Sequence, residues 1–411
     1  MKIAYFSYYT GPDFARRCGV EYKPNSSVLK TQGVARALLL AGHDVTVYSP
    51  GSYYGNRVVP SFIENIEFPE GVLKVKYPKV YSYPKCTPIN DLSLYCMLRM
   101  DCRRIDYDIF LYYNVCDNSF LGSWLYIPLF KQKLRILEYE DNVFMKALEG
   151  DKTKHLWLKK IIYNYLIKRT DGLFAVCKGM YDEESIRYKL LTPGIINEDV
   201  VDNVTSRVNR LIPGESVKIY LAGGGEYYKG SDLLIKSLLY VKYPCELHFF
   251  TNKEYFYNVA TEDIKRLPAM HKVILHDYIP HEKLIRILNE DADILANTTR
   301  SCGLNPQSVG FPSKMMEYAA LGRPIISSEI GQLNEEFDRN VTYYEKEDVK
   351  KIAQCIEDII EHYDEKVIKS MELQKIALTQ YTIKGTAEKI NKFFNEIKQD
   401  YATDKRQNKE Y

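Results

Sequence analysis

The chain has 411 residues, 45% of them hydrophobic and 27% charged, with a formal net charge of +2. That is apolar material for two or three ordinary cores, and too little charge bias for bulk nucleic-acid binding. Nine cysteines form no C-x-x-C pair and leave an odd count, which argues against a disulfide framework or a zinc ribbon and for reduced thiols. The sequence starts on a strand pattern, Lys2–Phe6, and holds no apolar run near the roughly 20 residues that span a bilayer, so a soluble cytoplasmic protein is expected. The 35 tyrosines suit half-exposed sugar-stacking surfaces or plain strand edges.

Lys2–Tyr8 reads as a buried strand that ends at Thr10-Gly11-Pro12. A polar loop with Gly19 and Pro24 leads to a helix whose Val34, Ala37, Leu38 and Ala41 share one face. It stops at Gly42-His43 before the strand Val45–Tyr48, which completes a β–loop–α–β crossover. Gly11 and Gly19 could admit a ligand close to the backbone or simply make turns. Two more apolar strands are expected at Ile109–Tyr113 and Leu134–Leu137. The second runs into Glu138-Tyr139-Glu140-Asp141-Asn142, at the strand end where open α/β sheets keep their sites. A solvated loop or helix cap is the plainer reading of these acids. Residues 152–169 carry no acid and set Leu158, Ile161, Ile162, Tyr165 and Leu166 in a helical stripe. That fits a packed helix with a solvated basic face, or one lying on an anionic membrane. Asp171–Val176 is a further strand.

Between Thr192 and Ser216 the composition shifts, with Pro193, Gly194, Pro213 and Gly214 bracketing a domain connection. Val217–Leu221 is then a strand that enters a turn with Gly223, Gly224, Gly225 and Lys229-Gly230, followed by a helix with Ser231 or Asp232 as N-cap. A glycine-rich strand-to-helix turn can cradle phosphate, but this spacing is neither a P-loop nor a dinucleotide fingerprint. Strands at Glu246–Phe250 and Val273–His276, and a helix after Pro280, lead to the short strand Ile294–Ala296. The loop Asn297–Gly310 follows, and Phe311-Pro312-Ser313-Lys314 opens a helix that Gly322 closes before the strand Ile325–Ser328. A loop delivered to a helix N-terminus after a parallel strand offers free N–H groups and the helix dipole to an anion. Lys314 would add charge, and Glu317 carries a carboxylate that accepts two hydroxyls, such as a ribose diol. Asn305 and Gln307 could bond sugar hydroxyls or cap the turn. Asp291-Ala292-Asp293 and Asp106-Tyr107-Asp108 imitate a metal-holding D-x-D, but each precedes its strand, and no metal site is expected.

The stretch 311–328, FPSKMMEYAALGRPIISS, resembles the nucleotide-sugar site of GT-B glycosyltransferases, specifically the retaining group 1, or family 4. ARALLLAGHDVTVYS in the first unit and Lys229-Gly230 in the second are similar to the same family. The resemblance implies an α/β fold of two Rossmann-like parallel-sheet domains facing across a cleft. Residues 1–192 would form the acceptor domain, completed by a returning helix at 384–400; residues 193–383 would form the donor domain, and 401–411 a frayed tail. It implies a metal-independent, retaining hexosyltransferase that uses a nucleotide-diphosphate sugar as co-substrate, with no cofactor. The acceptor would be a saccharide or lipid-linked, in cell-surface polysaccharide synthesis at the inner face of the membrane.

On the family's pattern, Phe311, Pro312, Ser313 and Lys314 hold the diphosphate and Glu317 the ribose. Gly223, Gly224, Gly225, Lys229 and Asn305 complete the donor site. Three departures stand out. Gly223 or Gly224 replaces an arginine that pairs with the diphosphate, which leaves Lys229 and Lys314 to carry the charge. Glu140-Asp141 replaces a histidine, so Glu140, Asp141 and Lys229 are the catalytic candidates, with Gly11 and Gly19 on the acceptor side. Val309 replaces the first glutamate of a Glu-x7-Glu pair. Three alternatives remain: a nucleotide-sugar epimerase, a non-catalytic GT-B partner protein, and a nicotinamide-dependent Rossmann enzyme. The last is disfavoured because no G-x-G-x-x-G follows the first strand.

Overall fold

The computed structural model describes residues 1–51, 56–83, 85–114, 133–140, 156–183, 185–197, 211–223, 227–251, 253–277, 279–303 and 305–407. The chain divides into two compact units: one of Met1–Val176, Met180–Ile195 and the residues from Ile383 onward, the other of Cys177–Gly179 and Ile196–Thr382. In chain order the first elements are β1 (Lys2–Phe6), α1 (Pro12–Cys18), α2 (Ser26–Leu40), β2 (Asp44–Tyr48), β3 (Arg57–Val59), β4 (Phe62–Phe68), β5 (Gly71–Tyr77) and β6 (Val80–Ser82). Then come α3 (Thr87–Asp101), β7 (Ile109–Tyr113), β8 (Leu134–Tyr139), α4 (Leu156–Ile167), β9 (Gly172–Ala175), α5 (Lys178–Glu183) and β10 (Tyr188–Leu191).

Eight strands form the first unit's sheet in the order β10-β9-β8-β7-β1-β2-β5-β4. All neighbours run parallel except β4 and β5, an antiparallel hairpin turning between Phe68 and Gly71. The central strands are apolar on both faces, as a parallel sheet covered by helices requires. Asn25 starts α2 by accepting from Val28 N at 3.0 Å, and Val34, Ala37 and Leu38 bury its apolar face. Another helix, Ile383–Gln407, packs on α2, and its Ile383, Ala387, Ile390, Phe394 and Ile397 enter the same core. Their spacing alternates three and four residues, which is one face of a helix. This helix runs to Gln407, past the limit near residue 400 expected from the sequence, because the charged segment after Asp400 consists largely of good helix formers. The hairpin of β4 and β5 had no counterpart in the sequence reading.

The second unit contains β11 (Val217–Ala222), α6 (Ser231–Ser237), β12 (Cys245–Phe250), α7 (Lys253–Lys265), β13 (Lys272–His276), α8 (His281–Asp291) and β14 (Ile294–Asn297). It continues with α9 (Lys314–Leu321), β15 (Ile325–Ser328), α10 (Glu335–Asp338), β16 (Thr342–Tyr344), α11 (Val349–Glu361) and α12 (Tyr363–Gln380), after which Ile383–Gln407 is α13. Six parallel strands lie in the order β13-β12-β11-β14-β15-β16. Consecutive strands β11, β12 and β13 step to one side, and β14 begins the other side, so β11 and β14 flank the point where the winding reverses. Ligands of open α/β sheets sit at the C-terminal ends of such a strand pair.

Candidate functional site

In the second unit, β11 ends at Ala222, and Gly223 follows with φ +134. A side chain at Gly223 would meet Lys314, since a Cβ there would lie 3.2 Å from Lys314 Nζ. The first residue of α9 therefore reaches the turn after β11. The two elements are also tied by Ala222 N, which donates to the buried Tyr318 hydroxyl at 2.9 Å. Ser313 stands at the N-cap of α9 without a side-chain cap bond, and Gly322 closes the helix in the left-handed region at φ 64. The helix end thus comes to the C-terminal end of β11 through Lys314 and Tyr318.

The turn carrying Lys229 is fixed just as closely. Residues Tyr227–Lys229 form one 3₁₀ turn, and the segment after β14 grips it along its length. Arg300 N donates to Tyr228 O at 2.7 Å, and Thr298 Oγ1 donates to Lys229 O at 2.8 Å. A Cβ on Gly230, at φ +69, would lie only 2.0 Å from Thr298 O, so no larger residue fits. The Arg300 guanidinium stacks on the Tyr227 ring at 4.1 Å and donates to Tyr227 O. It also pairs in a fork with Asp232 at 2.8 and 2.9 Å, and with Glu347 at 2.9 Å. Burial pushes the Asp232 carboxyl up, but the bonds from Arg300 and Lys236 outweigh it and hold the group below its ordinary value. The expected N-cap role of Ser231 or Asp232 is therefore not what occurs: Gly230 is the cap residue, and Asp232 serves Arg300. Lys229 itself holds its ammonium 4.7 Å from the Tyr228 ring centroid.

Asn305 caps the short turn Pro306–Ser308 by accepting from Gln307 N at 3.2 Å. Gln307 reaches Gln332 at 3.1 Å. Val309 is buried, as an apolar residue in place of a glutamate would be. Phe311 packs edge-on against Phe337, and Pro312 O accepts from Met315 N at 2.8 Å. Glu317, in the first turn of α9, accepts from His281 Nε2 at 2.7 Å. Neither D-x-D imitation has idle carboxylates: Asp291 takes bonds from Lys218 and Tyr220, Asp293 from Lys218 N, Asp106 from Lys133, and Asp108 from Lys2 N.

The first unit's candidates lie at the ends of β1 and β8. Glu140 follows β8, its amide bonded to Asn114 Oδ1 at 2.9 Å and its carboxylate paired with Lys30 of α2 at 2.8 Å. Beside it Glu138 is completely buried and takes the Tyr5 hydroxyl. Burial pushes the Glu138 carboxyl up, opposed by the charge of Lys30 and the hydrogen bonds of Tyr5 and Glu140. Gly11 lies against Glu64, whose carboxylate would be 2.4 Å from a Cβ there, and Gly19 ends α1 at φ 73 beside Arg57. Each glycine thus has a local reason of its own. Asp141, Gly224 and Gly225 fall outside the described residues, as do Lys152–His155 of the basic segment.

His281, Arg300 and Lys30 were not singled out from the sequence, and Glu138 only as part of the acidic cluster at the end of β8. For Arg300 a signal was present: an arginine directly after a buried strand needs acidic partners.

Residues 215–362 match the family model described as glycosyl transferases group 1. No curated protein matches the chain. Among solved structures, sucrose-phosphate synthase from Thermosynechococcus elongatus superposes with a TM-score of 0.71 at 13% identity, over 97% of this chain and 99% of that one. The trehalose-6-phosphate structure from E. coli bound with UDP-2-fluoro glucose gives 0.64 at 12%, over 97% and 99%. HepE of Anabaena in complex with UDP-glucose gives 0.62 at 12%, over 96% and 100%. At these identities the likeness speaks for the fold. The chain has the GT-B fold, and its residues 215–362 match the glycosyl transferases group 1.

Proposed function

We propose that the protein is a glycosyltransferase that moves a hexosyl group from a nucleotide-diphosphate sugar to a saccharide or lipid-linked acceptor, with retention at the anomeric carbon and without a metal. The observation that carries this reading is the convergence of Gly223, the Lys229 turn and the N-terminus of α9 at the ends of β11 and β14, inside the matched family segment. The Anabaena HepE structures hold UDP-glucose, and UDP with glucose, on the same fold.

The division of labour follows from the chemistry. Departure of the nucleoside diphosphate develops charge on its phosphates. Helix N–H groups at Phe311–Lys314 and the ammonium of Lys314 meet that charge, and Lys229 adds a second ammonium. Glu317 accepts from the ribose hydroxyls. Glu140, Asp141, Gly11 and Gly19 belong to the acceptor side, and synthesis of a cell-surface polysaccharide at the membrane's inner face suits a basic segment at 152–169. Among the described residues no helix is long and apolar enough to cross a membrane, so contact with lipid would be peripheral.

Calorimetric titration with UDP, GDP and their sugar conjugates, with and without EDTA, tests the reading. Binding of one nucleotide series, unchanged by EDTA, is expected; the anomeric configuration of the product, read by NMR, then tests retention. A second reading, a non-catalytic partner protein, draws on Gly223 or Gly224 in place of the arginine, buried Val309 in place of a glutamate, and a Glu140 held by Lys30. It expects no binding of any nucleotide sugar.

A further inference from the structure

His281 is the first residue of α8, and its Nε2 lies 2.7 Å from Oε1 of Glu317 on α9. The two helices belong to one unit and are packed against each other. Both side chains remain reachable, His281 40% and Glu317 34% exposed, so the pair is not a buried structural ion pair. Helix α8 itself starts at Pro280, whose side chain makes no cap bond. A carboxylate offers about four acceptor sites on two oxygens, and the imidazole occupies one of them on Oε1.

We propose that His281 is a positioning residue for nucleotide recognition: it holds the Glu317 carboxylate in one rotamer with Oε2 left for a ribose hydroxyl, and so couples nucleotide affinity to protonation of the imidazole. The proposal rests on Glu317 being the ribose-binding group. Two charged groups face the imidazole, Glu317 from α9 and Glu282 from α8 itself. The hydrogen bond to Glu317 is the largest influence and raises His281 above its ordinary value, against the opposite pull of burial. Below that raised value the imidazolium donates a charge-assisted bond and offsets a negative charge beside an anionic ligand. Above it the neutral ring donates weakly or, in its other tautomer, not at all, and Glu317 regains its rotamers. Affinity therefore falls as pH rises through the raised His281 value.

The test is calorimetric titration of UDP and GDP between pH 6 and 9 into the wild type, His281→Gln, His281→Ala and Glu317→Ala. Ionisation of the ligand's own phosphate is common to all four and divides out. The wild type should weaken by about three- to tenfold across the range relative to His281→Gln, whose amide donates at every pH and gives a flat profile. His281→Ala should bind weakly throughout. Profiles for His281→Ala and the wild type that coincide, with Glu317→Ala still impaired, would overturn the proposal alone. A wild type that binds neither nucleotide, or a Glu317→Ala that binds normally, would overturn the donor-site reading and the proposal with it. NMR titration of the His281 ring gives a check without ligand: in Glu317→Gln its pKa should drop, and an unmoved value refutes the pairing.

Discussion

At the ends of β11 and β14 the backbone is brought close and kept open: Gly223 makes room beside Lys314, Gly230 sits under Thr298 O, and Arg300 braces the Lys229 turn from behind. At the ends of β1 and β8 side chains close on one another instead, Tyr5 on Glu138 and Lys30 on Glu140, and Gly11 is filled from the side by Glu64. The first arrangement pairs Arg300 with Asp232 and Glu347 behind the turn and carries Lys229 and Lys314 at the strand ends. The second uses its charges against each other. Phosphate recognition needs N–H groups and cations, which points to the second unit for the nucleotide, while in the first unit Glu138 and Glu140 are engaged by Tyr5 and Lys30.

Removing the brace should have the largest effect. Arg300→Ala leaves Asp232 buried against Lys236 alone and should destabilise the second unit by about 3–5 kcal/mol, read from denaturant unfolding. Gly230→Ala puts a Cβ onto Thr298 O in a left-handed conformation and should cost roughly 2–4 kcal/mol by the same measurement. If both variants unfold like the wild type, the brace is not structural and the contrast between the units fails.

Lys314→Ala and Glu317→Ala should leave unfolding nearly unchanged but each weaken nucleotide binding by about 1–3 kcal/mol in calorimetry. Equal losses from Lys30→Met, in the first unit, would erase the distinction drawn here.

The smallest effect sharpens the other side. The Glu138 carboxyl is raised by burial, so its contribution is fully present below the ordinary carboxylate range and is lost as pH rises through the raised value. Glu138→Gln keeps the shape without that titration. Urea midpoints should agree between variant and wild type at low pH, and the variant should gain up to about 1 kcal/mol relative to the wild type as pH rises. A variant that is less stable at high pH would mean that Glu138 is held as a carboxylate.

Much of this architecture was legible because parallel strands and their helices announce themselves through apolar runs, and because Gly322 and the Phe311–Lys314 stretch mark both ends of one helix. The hairpin of β4 and β5 was not, since its one buried acid, Glu64, breaks the expected alternation. Only the fold supplies the partners that satisfy it, Asp13 N at 2.7 Å and the Tyr77 hydroxyl. The candidate donor residues on α9 could be named from sequence, but their support could not. Arg300 finds its partners at Asp232 and Glu347, and His281 finds Glu317 thirty-six positions away. Such pairings depend on which strand ends meet, and a local pattern carries no record of that. The same holds for the turn that Asn305 caps, which shows only in the folded loop.

The most direct measurement is hydrogen–deuterium exchange of the whole chain with and without a saturating nucleotide, UDP or GDP, whichever binds. Protection concentrated in 221–230 and 311–318 is expected, with residues at the ends of β1 and β8 unchanged. Protection confined to the first unit, with the turn after β11 and the start of α9 exchanging as before, would contradict the assignment of the nucleotide to the second unit.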